Sequence, residues 1–285
     1  MSVELNFWRS RVITRENSTS TNLFDHVLNR EEILRWLKED DPGTIKLLLK
    51  EADRVRKEHV GDQVHFRGLI EFSNVCRRSC SYCGIRGPNK GIQRYRLSRE
   101  EILQCADTAK ELGFGTVTMQ SGEDPALDID ELCRTIELIK ERTGLAVTLS
   151  IGERDRDELK RLKSAGADRY LVRFETSNAE LYDRIHPPVP NQVNLDRFEV
   201  LEWLRELDYE VGSGIMVGIP GETWDDLATD LELFRDLNLD MIGVGPYLPH
   251  PGTPLGRELD DSLEPTNPNS PTPNPSTLKL PTPRL

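Results

Sequence analysis

Short apolar runs alternate with longer amphipathic stretches from about residue 65 to residue 247, behind two helical segments that come first. The leading segments run from about Arg30 to Glu39 and from Pro42 to about Glu58, with Pro42 where a first helical turn tolerates proline. Beyond them the apolar runs predict six strands: His65 to Phe72, Thr116 to Gln120, Ala146 to Ile151, Arg169 to Phe174, Val211 to Val217 and Met241 to Tyr247. Between these, helices are predicted near Ser98 to Leu112, Asp128 to Glu141, Asp155 to Ala165, Leu195 to Leu207 and Thr223 to Leu237. Ser98 with Glu101 and Ser177 with Glu180 have capping-box spacing, which makes both glutamates caps rather than catalysts. Gly113, Gly144 and Gly166 follow helices, where a left-handed cap is expected.

This alternation predicts the α/β class, with βα units arranged around a parallel sheet as in a TIM-type barrel. A closed barrel of that type has eight strands. Six are visible, so the expected fold is a parallel β/α barrel that is incomplete at its C-terminus. Residues 1–62 form a helical extension and residues 63–256 the partial barrel. Residues 257–285 form a tail that from Glu264 onward is a Pro, Asn, Ser and Thr tract, too polar to bury apolar surface and expected to be disordered.

Charge narrows the classes of partner. The 37 basic and 49 acidic residues give a net charge of −12, which argues against a protein that grips a nucleic-acid backbone. No run of eighteen apolar residues occurs, and Met1 to Arg15 lacks the apolar core of a secretory signal. The expectation is a cytoplasmic protein with neither membrane nor nucleic acid as partner.

Three of the five cysteines crowd into eight residues, Cys76, Cys80 and Cys83, directly after the first strand. In a parallel barrel that is the catalytic end. Three thiolates on one loop can hold three irons of a cubane and leave the fourth iron open, whereas electron-transfer clusters are normally closed by a fourth cysteine and structural zinc takes four ligands. The spacing therefore favours a three-ligand four-iron four-sulfur cluster over a zinc-binding or iron-sulfur carrier module. Cys105 and Cys133, at helical spacing from apolar neighbours, are expected in the core. Around the motif lie Arg77, Arg78, Arg86, Lys90, Arg94, Arg96 and Arg99 with no acidic residue among them. Such a basic stretch in an acidic protein suits docking of an acidic electron donor of flavodoxin or ferredoxin type.

The C-x3-C-x2-C run, with Tyr82 before its last cysteine, resembles the signature of the radical S-adenosylmethionine (SAM) superfamily. Six further segments narrow the likeness: Phe72 to Cys76, Gln120 to Asp124, Thr148 to Glu153, Arg169 to Thr176, Met216 to Gly221 and Gly245 to Pro251. Together they resemble the HydE family of FeFe-hydrogenase maturases, with biotin synthase and methylornithine synthase as more distant relatives. The resemblance implies a 4Fe-4S cluster on Cys76, Cys80 and Cys83 and reductive cleavage of SAM. It also implies a small organometallic substrate and onward transfer to other hydrogenase maturation proteins. Biotin-synthase-like sulfur insertion and methylornithine-synthase-like rearrangement are the alternative reactions on the same scaffold.

The resemblance also assigns the strand ends. Gln120, Ser121, Gly122 and Glu123 form a polar turn for the SAM amino group, and Ser150 ends the third strand. Glu175 is expected to accept hydrogen bonds from SAM, with Arg173 on the same side two residues earlier. Arg197 corresponds to the arginine that pairs with the SAM carboxylate in the family, a role suited to a planar bidentate donor. Met216 and Gly218 close on the adenosine, while Tyr247, Leu248 and Tyr82 offer surfaces to the adenine.

Overall fold

The computed structural model describes residues 26–190 and 194–262. In chain order its elements are α1 (Arg30–Leu37), α2 (Pro42–Val60), β1 (Arg67–Ser73), α3 (Arg99–Glu111), β2 (Thr116–Ser121), α4 (Ile129–Thr143), β3 (Ala146–Ser150), α5 (Arg156–Ser164) and β4 (Arg169–Leu171). They continue with α6 (Ala179–Ile185), α7 (Arg197–Glu206), β5 (Glu210–Val217), α8 (Trp224–Asp236), β6 (Met241–Pro246) and α9 (Pro254–Ser262).

Two compact units emerge. One contains α1, α2 and α8; the other contains the sheet and the remaining helices. Within the first, Arg30 of α1 reaches α8 through Thr229 and Glu232, at 3.1 and 2.9 Å, and through Asp225 at 3.1 Å.

Helix starts follow from short polar side chains that satisfy the first free N–H groups, each contributing about 1 kcal/mol. Asn29 with Glu32, Ser98 with Glu101 and Thr223 with Asp226 form reciprocal capping boxes. Asp128, Asp155 and Asp196 cap α4, α5 and α7. At the other end of α4, Gly144 takes the left-handed conformation that a side chain would resist.

The six strands form one parallel sheet in sequence order, β1-β2-β3-β4-β5-β6. One face of each strand is apolar: Ile70 and Phe72 on β1, Val117 and Met119 on β2, and Val147 and Leu149 on β3 are all buried. The matching helical residues, among them Ile102, Ala106, Ile136, Ile139, Leu159 and Leu162, are buried as well. On the opposite face the register aligns Glu71, Gln120 and Ser150 across β1, β2 and β3, so their carboxyl ends open on a common polar rim. The sheet does not close. Arg67 of β1 nonetheless reaches the Met241 sulfur of β6 at 3.5 Å, so the edge strands approach each other at their N-terminal ends.

Several expectations are corrected. Cys105 is exposed: α3 buries Ile102, Leu103, Ala106 and Ala109, which turns position 105 outward. Cys133 is half-buried rather than core. The cap of α6 is Asn178, whose Oδ1 accepts from Leu181 N at 3.1 Å, not Ser177. Strand β4 ends at Leu171, short of the expected Phe174; Val172 N still donates to Gly212 O at 3.1 Å, and Glu175, with φ of 64°, meets β5 again through a bridge to Ile215. Helix α9 runs across the point where the tail was expected to begin, and the remainder of that tail lies outside the described residues. No helix among the described residues is long and apolar enough to cross a membrane.

Among the described residues only one edge of β6 is hydrogen-bonded to a strand, so alternate amides along Met241–Pro246 point away from β5. Hydrogen exchange on the 285-residue chain should show fast exchange at those alternate positions and protection throughout β2 and β3. Uniform protection along β6 would contradict the open edge.

Candidate cluster and SAM site

The loop from Asn74 to Gln93 has no regular structure, yet its backbone groups are systematically engaged. Arg94 threads it from inside, donating to the carbonyls of Asn74, Ile85 (2.7 Å), Arg86 (2.7 Å) and Asn89 (3.2 Å). Gly87 N donates to Arg78 O at 2.8 Å, Arg86 to Ser79 O at 2.8 Å and Asn89 to Gly84 O at 2.7 Å. Ser81 is tied to both neighbouring helices, through Ile185 O at the end of α6 (2.8 Å) and Leu255 N of α9 (3.1 Å). Arg77 N donates to Glu123 O at 2.9 Å, which joins the loop to the turn after β2. At that junction only glycine fits: a Cβ on Gly122 would lie 2.5 Å from Val75 O and 2.6 Å from the Cys76 Cβ.

The basic stretch is thus largely structural. Arg78 and Arg94 are spent inside the fold, Arg86 on a loop carbonyl, Arg96 on Asp124 (2.9 Å) and Arg99 on Glu131 (3.3 Å). Arg78, Arg86 and Arg94 serve the fold, because arginine's five donors serve best where many carbonyls must be satisfied at once, while Lys90 and the ion-paired Arg96 and Arg99 stay exposed.

All three motif cysteines lie on this loop. Cys80 is buried, and Cys76 and Cys83 are half-buried. Burial raises all three thiols, Cys80 to about 12, so metal binding must displace their protons. Among the described residues, Glu123, Glu153 and His186 bring three ligand atoms within 4.8 Å of one another; the three cysteine sulfurs do not form such a set. A single tetrahedral zinc, with bonds of about 2.3 Å, needs its sulfurs about 3.8 Å apart. As they stand, the three sulfurs do not converge closely enough to hold one such ion together.

Glu123, Glu153 and His186 are not a metal site, since two guanidinium groups already neutralise them. Arg78 donates to Glu123 Oε2 at 2.7 Å, to Asn194 Oδ1 at 2.9 Å and to Glu153. Arg197 donates to Glu153 Oε1 at 3.1 Å, to Arg173 O and to His186 Nε2 at 3.0 Å. Burial works against the Glu153 charge, but His186 and the two arginines prevail and hold the carboxyl at about 2. Burial likewise pushes His186 below its ordinary value, which keeps the imidazole neutral.

Glu175 is the exception in this network. Its backbone, with φ of 64°, sits in a region that only a constrained non-glycine residue occupies, held by Glu175 N to Gly214 O and Met216 N to Glu175 O, both 3.0 Å. Oε1 accepts from Tyr82 Oη at 3.1 Å and lies 4.0 Å from Arg197 Nη1. Oε2 is buried and has no partner among the described residues. Burial raises this carboxyl above its ordinary value despite Arg197 and Arg173. An unsatisfied buried carboxylate oxygen is costly, roughly 1 to 3 kcal/mol or more, unless a ligand donates to it.

The structure brings together Cys76, Cys80, Tyr82, Cys83, Glu123, Glu175 and Arg197. Met216 and Tyr247 belong to a buried cluster with Leu181, Ile185, Ile219 and Leu255, and Tyr82 packs against it. Gln120, Ser121 and Ser150 lie on the polar rim. Gly218 adopts φ of 85° with open space where a Cβ would stand. Arg173 sits against β6, whose Gly243 and Gly245 leave room for its guanidinium. Leu248 is 73% exposed and stands apart from the buried cluster. Sequence reasoning missed the structural roles of Arg78, Glu153 and His186. Glu153 was visible as the acid closing a quoted strand-end segment, and His186 carried no signal beyond its place before two prolines.

The model of the radical SAM superfamily matches residues 70–234. The [FeFe] hydrogenase maturase subunit HydE of Thermotoga maritima is 46% identical over 229 residues, which cover 80% of this chain and 65% of that protein. A 3-methylornithine synthase of Methanosarcina barkeri is 32% identical, over 76% of this chain and 61% of its own. The crystal structure of methylornithine synthase superposes with a TM-score of 0.75 at 29% identity, covering 81% of this chain and 68% of that one. The chain thus spans less than two thirds of the length of these curated relatives. On the match across the sheet and its strand-end turns, the chain belongs to the radical SAM superfamily, whose members use a 4Fe-4S cluster and SAM.

Proposed function

We propose that Cys76, Cys80 and Cys83 hold a 4Fe-4S cluster with one iron left open, and that the chain binds SAM there and cleaves it reductively. On this reading residues 63–256 are the catalytic part, residues 1–62 a helical extension, and the residues beyond α9 a tail. The observation that carries the reading is the buried Glu175 Oε2, unpartnered among the described residues, beside the loop that bears the three free cysteines, whose Tyr82 bonds to the same carboxylate.

When bound, the cluster supplies the electron and SAM the sulfonium that is cleaved. The chain's own residues supply placement. Glu175 Oε2 accepts a hydrogen bond from the ligand, and Arg197, fixed by Glu153, Arg173 O and His186, supplies positive potential beside it for the ligand's carboxylate. Gly122 lets the backbone after β2 pass against Cys76, next to the amino group's expected position. Gln120, Ser121, Glu123 and Ser150 form the rim, with Glu123 acting through Arg78. Met216, Tyr247 and Tyr82 make the apolar wall for the adenosine, and Gly218 keeps the main chain free of a Cβ there. Arg173 lines the inner face of the sheet below Glu175.

The identity to the T. maritima maturase supports a role in assembling the FeFe-hydrogenase active-site cofactor, with a small iron complex as substrate and other maturation proteins as recipients. An acidic donor of flavodoxin or ferredoxin type is the expected reductant; exposed Lys90, Arg96 and Arg99 are what remains of basic surface near the loop. Free thiols of this kind fit the reducing cytoplasm.

Anaerobic reconstitution should load about four irons and four sulfides per chain, as a cubane requires. Replacing Cys76, Cys80 or Cys83 by Ala should abolish loading, and Cys105→Ala should leave it intact. One zinc per chain with no iron uptake would overturn the cluster.

A second outcome concerns SAM. Glu175→Gln removes a charged acceptor worth roughly 1.5 to 3 kcal/mol, so SAM should bind about ten- to a hundredfold more weakly with the cluster intact. Unchanged affinity by calorimetry would remove Glu175 from the site.

A further inference from the structure

The imidazole of His186 is buried to 4% exposure and has no part in the chemistry described above. Helix α6 ends at Ile185, and His186 follows as its cap with φ of −130° and ψ of 61°, its N–H bonded to Tyr182 O at 2.7 Å. That turn points the ring into the site. Nδ1 lies 3.0 Å from the Cys80 sulfur, and Nε2 lies 3.0 Å from Arg197 Nη2.

The contact with sulfur sets which nitrogen must donate. A ligating thiolate has no proton to give, so the ring nitrogen 3.0 Å from it has to carry the N–H. Arg197 Nη2 lies 3.4 Å from Nδ1 and 3.0 Å from Nε2 and so packs against the ring as a whole. Neither ring nor guanidinium is free to turn. The Tyr182 ring lies 5.1 Å from the imidazole, and the Arg197 guanidinium lies 5.6 Å over the same tyrosine. Arg197 is itself locked by Glu153 and the Arg173 carbonyl.

We propose that His186 donates an N–H···S hydrogen bond from Nδ1 to the Cys80 sulfur, and that Arg197, packed against the same ring, connects the SAM side of the site to the cluster through it. The inference rests on Cys80 being a cluster ligand. A hydrogen bond to a ligating thiolate withdraws electron density from the cluster and favours its reduced form. A ligand carboxylate drawing on Arg197 changes the charge behind the imidazole, so the cluster senses SAM through the protein as well as at the open iron. His186 is a positioning residue here, since it reaches the cluster only through Cys80.

The test uses the reconstituted full chain, with iron content measured first. Protein labelled with [15N]histidine should show, in pulsed EPR of the reduced cluster, a weak coupling that changes with the isotope. His186→Leu removes the donor: reduction of the cluster should become roughly tenfold less favourable, a midpoint about 59 mV more negative for one electron, and the shift caused by SAM should shrink. His186→Gln, which keeps a donor, should recover part of both. If His186→Leu fails to hold a cluster, the labelled wild-type protein decides alone. Four irons with no histidine coupling, or a His186→Leu cluster with wild-type potentials with and without SAM, would overturn the connection. Absence of iron from the wild-type chain would overturn the cluster reading beneath it.

Discussion

A carboxylate with 4% exposure survives in a protein interior only if its charge is matched from close range, and Glu153 meets that condition by drawing two arginines onto itself. Arg78 comes from the irregular cysteine loop and Arg197 from the first turn of α7, while Glu153 follows β3. Removing any member leaves an uncompensated buried charge, so the three segments are held to one another more firmly than loop hydrogen bonds alone would hold them. Gly152, with φ of 77°, is part of the same arrangement: a Cβ there would lie 2.1 Å from the Glu123 side chain. The cysteine loop therefore inherits its position from the sheet. Its sulfurs, the strained Glu175 and the His186 ring take their places around that anchor.

Much of this was legible in the chain, for physical reasons that differ by element. The strands were visible because alternating burial leaves a period that survives in composition, as in Val117, Met119 and their more open neighbour Thr118. The capping box at Ser98 was legible because both its partners are local. Where two polar residues compete for one cap, as Ser177 and Asn178 do, spacing alone chose the wrong one, and the short α6 went unseen. Cys105 was misplaced because apolar neighbours at helical spacing do not fix which side of the stripe a residue takes. The arginines misled for a related reason. Charge is counted along the sequence, but its use depends on carbonyls and carboxylates that the fold gathers from elsewhere, as Arg94 and Arg78 show.

Glu175 shows the limit most clearly. Its place after a strand was readable, but its left-handed backbone was not, because that strain is held by pairing with Gly214 and Met216 of β5. The open sheet bears on function in the same way. The cysteine loop, Glu175 and Arg197 all fall within the stretch matched by the superfamily, residues 70–234, whereas Ile242 and Val244 of β6 stay exposed, at 52% and 51%. The site proposed for the cluster and SAM thus lies in the part of the fold that this chain shares with its relatives.

The central claim, that Glu153 binds the cysteine loop and α7 into one electrostatic unit, is tested most directly by a double-mutant cycle. Arg78→Met, Arg197→Met and the double variant would be compared by urea unfolding of the metal-free protein. Coupling through the shared carboxylate predicts a departure from additivity of about 1 kcal/mol or more, within the range seen for residues of one buried network. Additive effects, agreeing within about 0.3 to 0.5 kcal/mol as independent sites do, would contradict it.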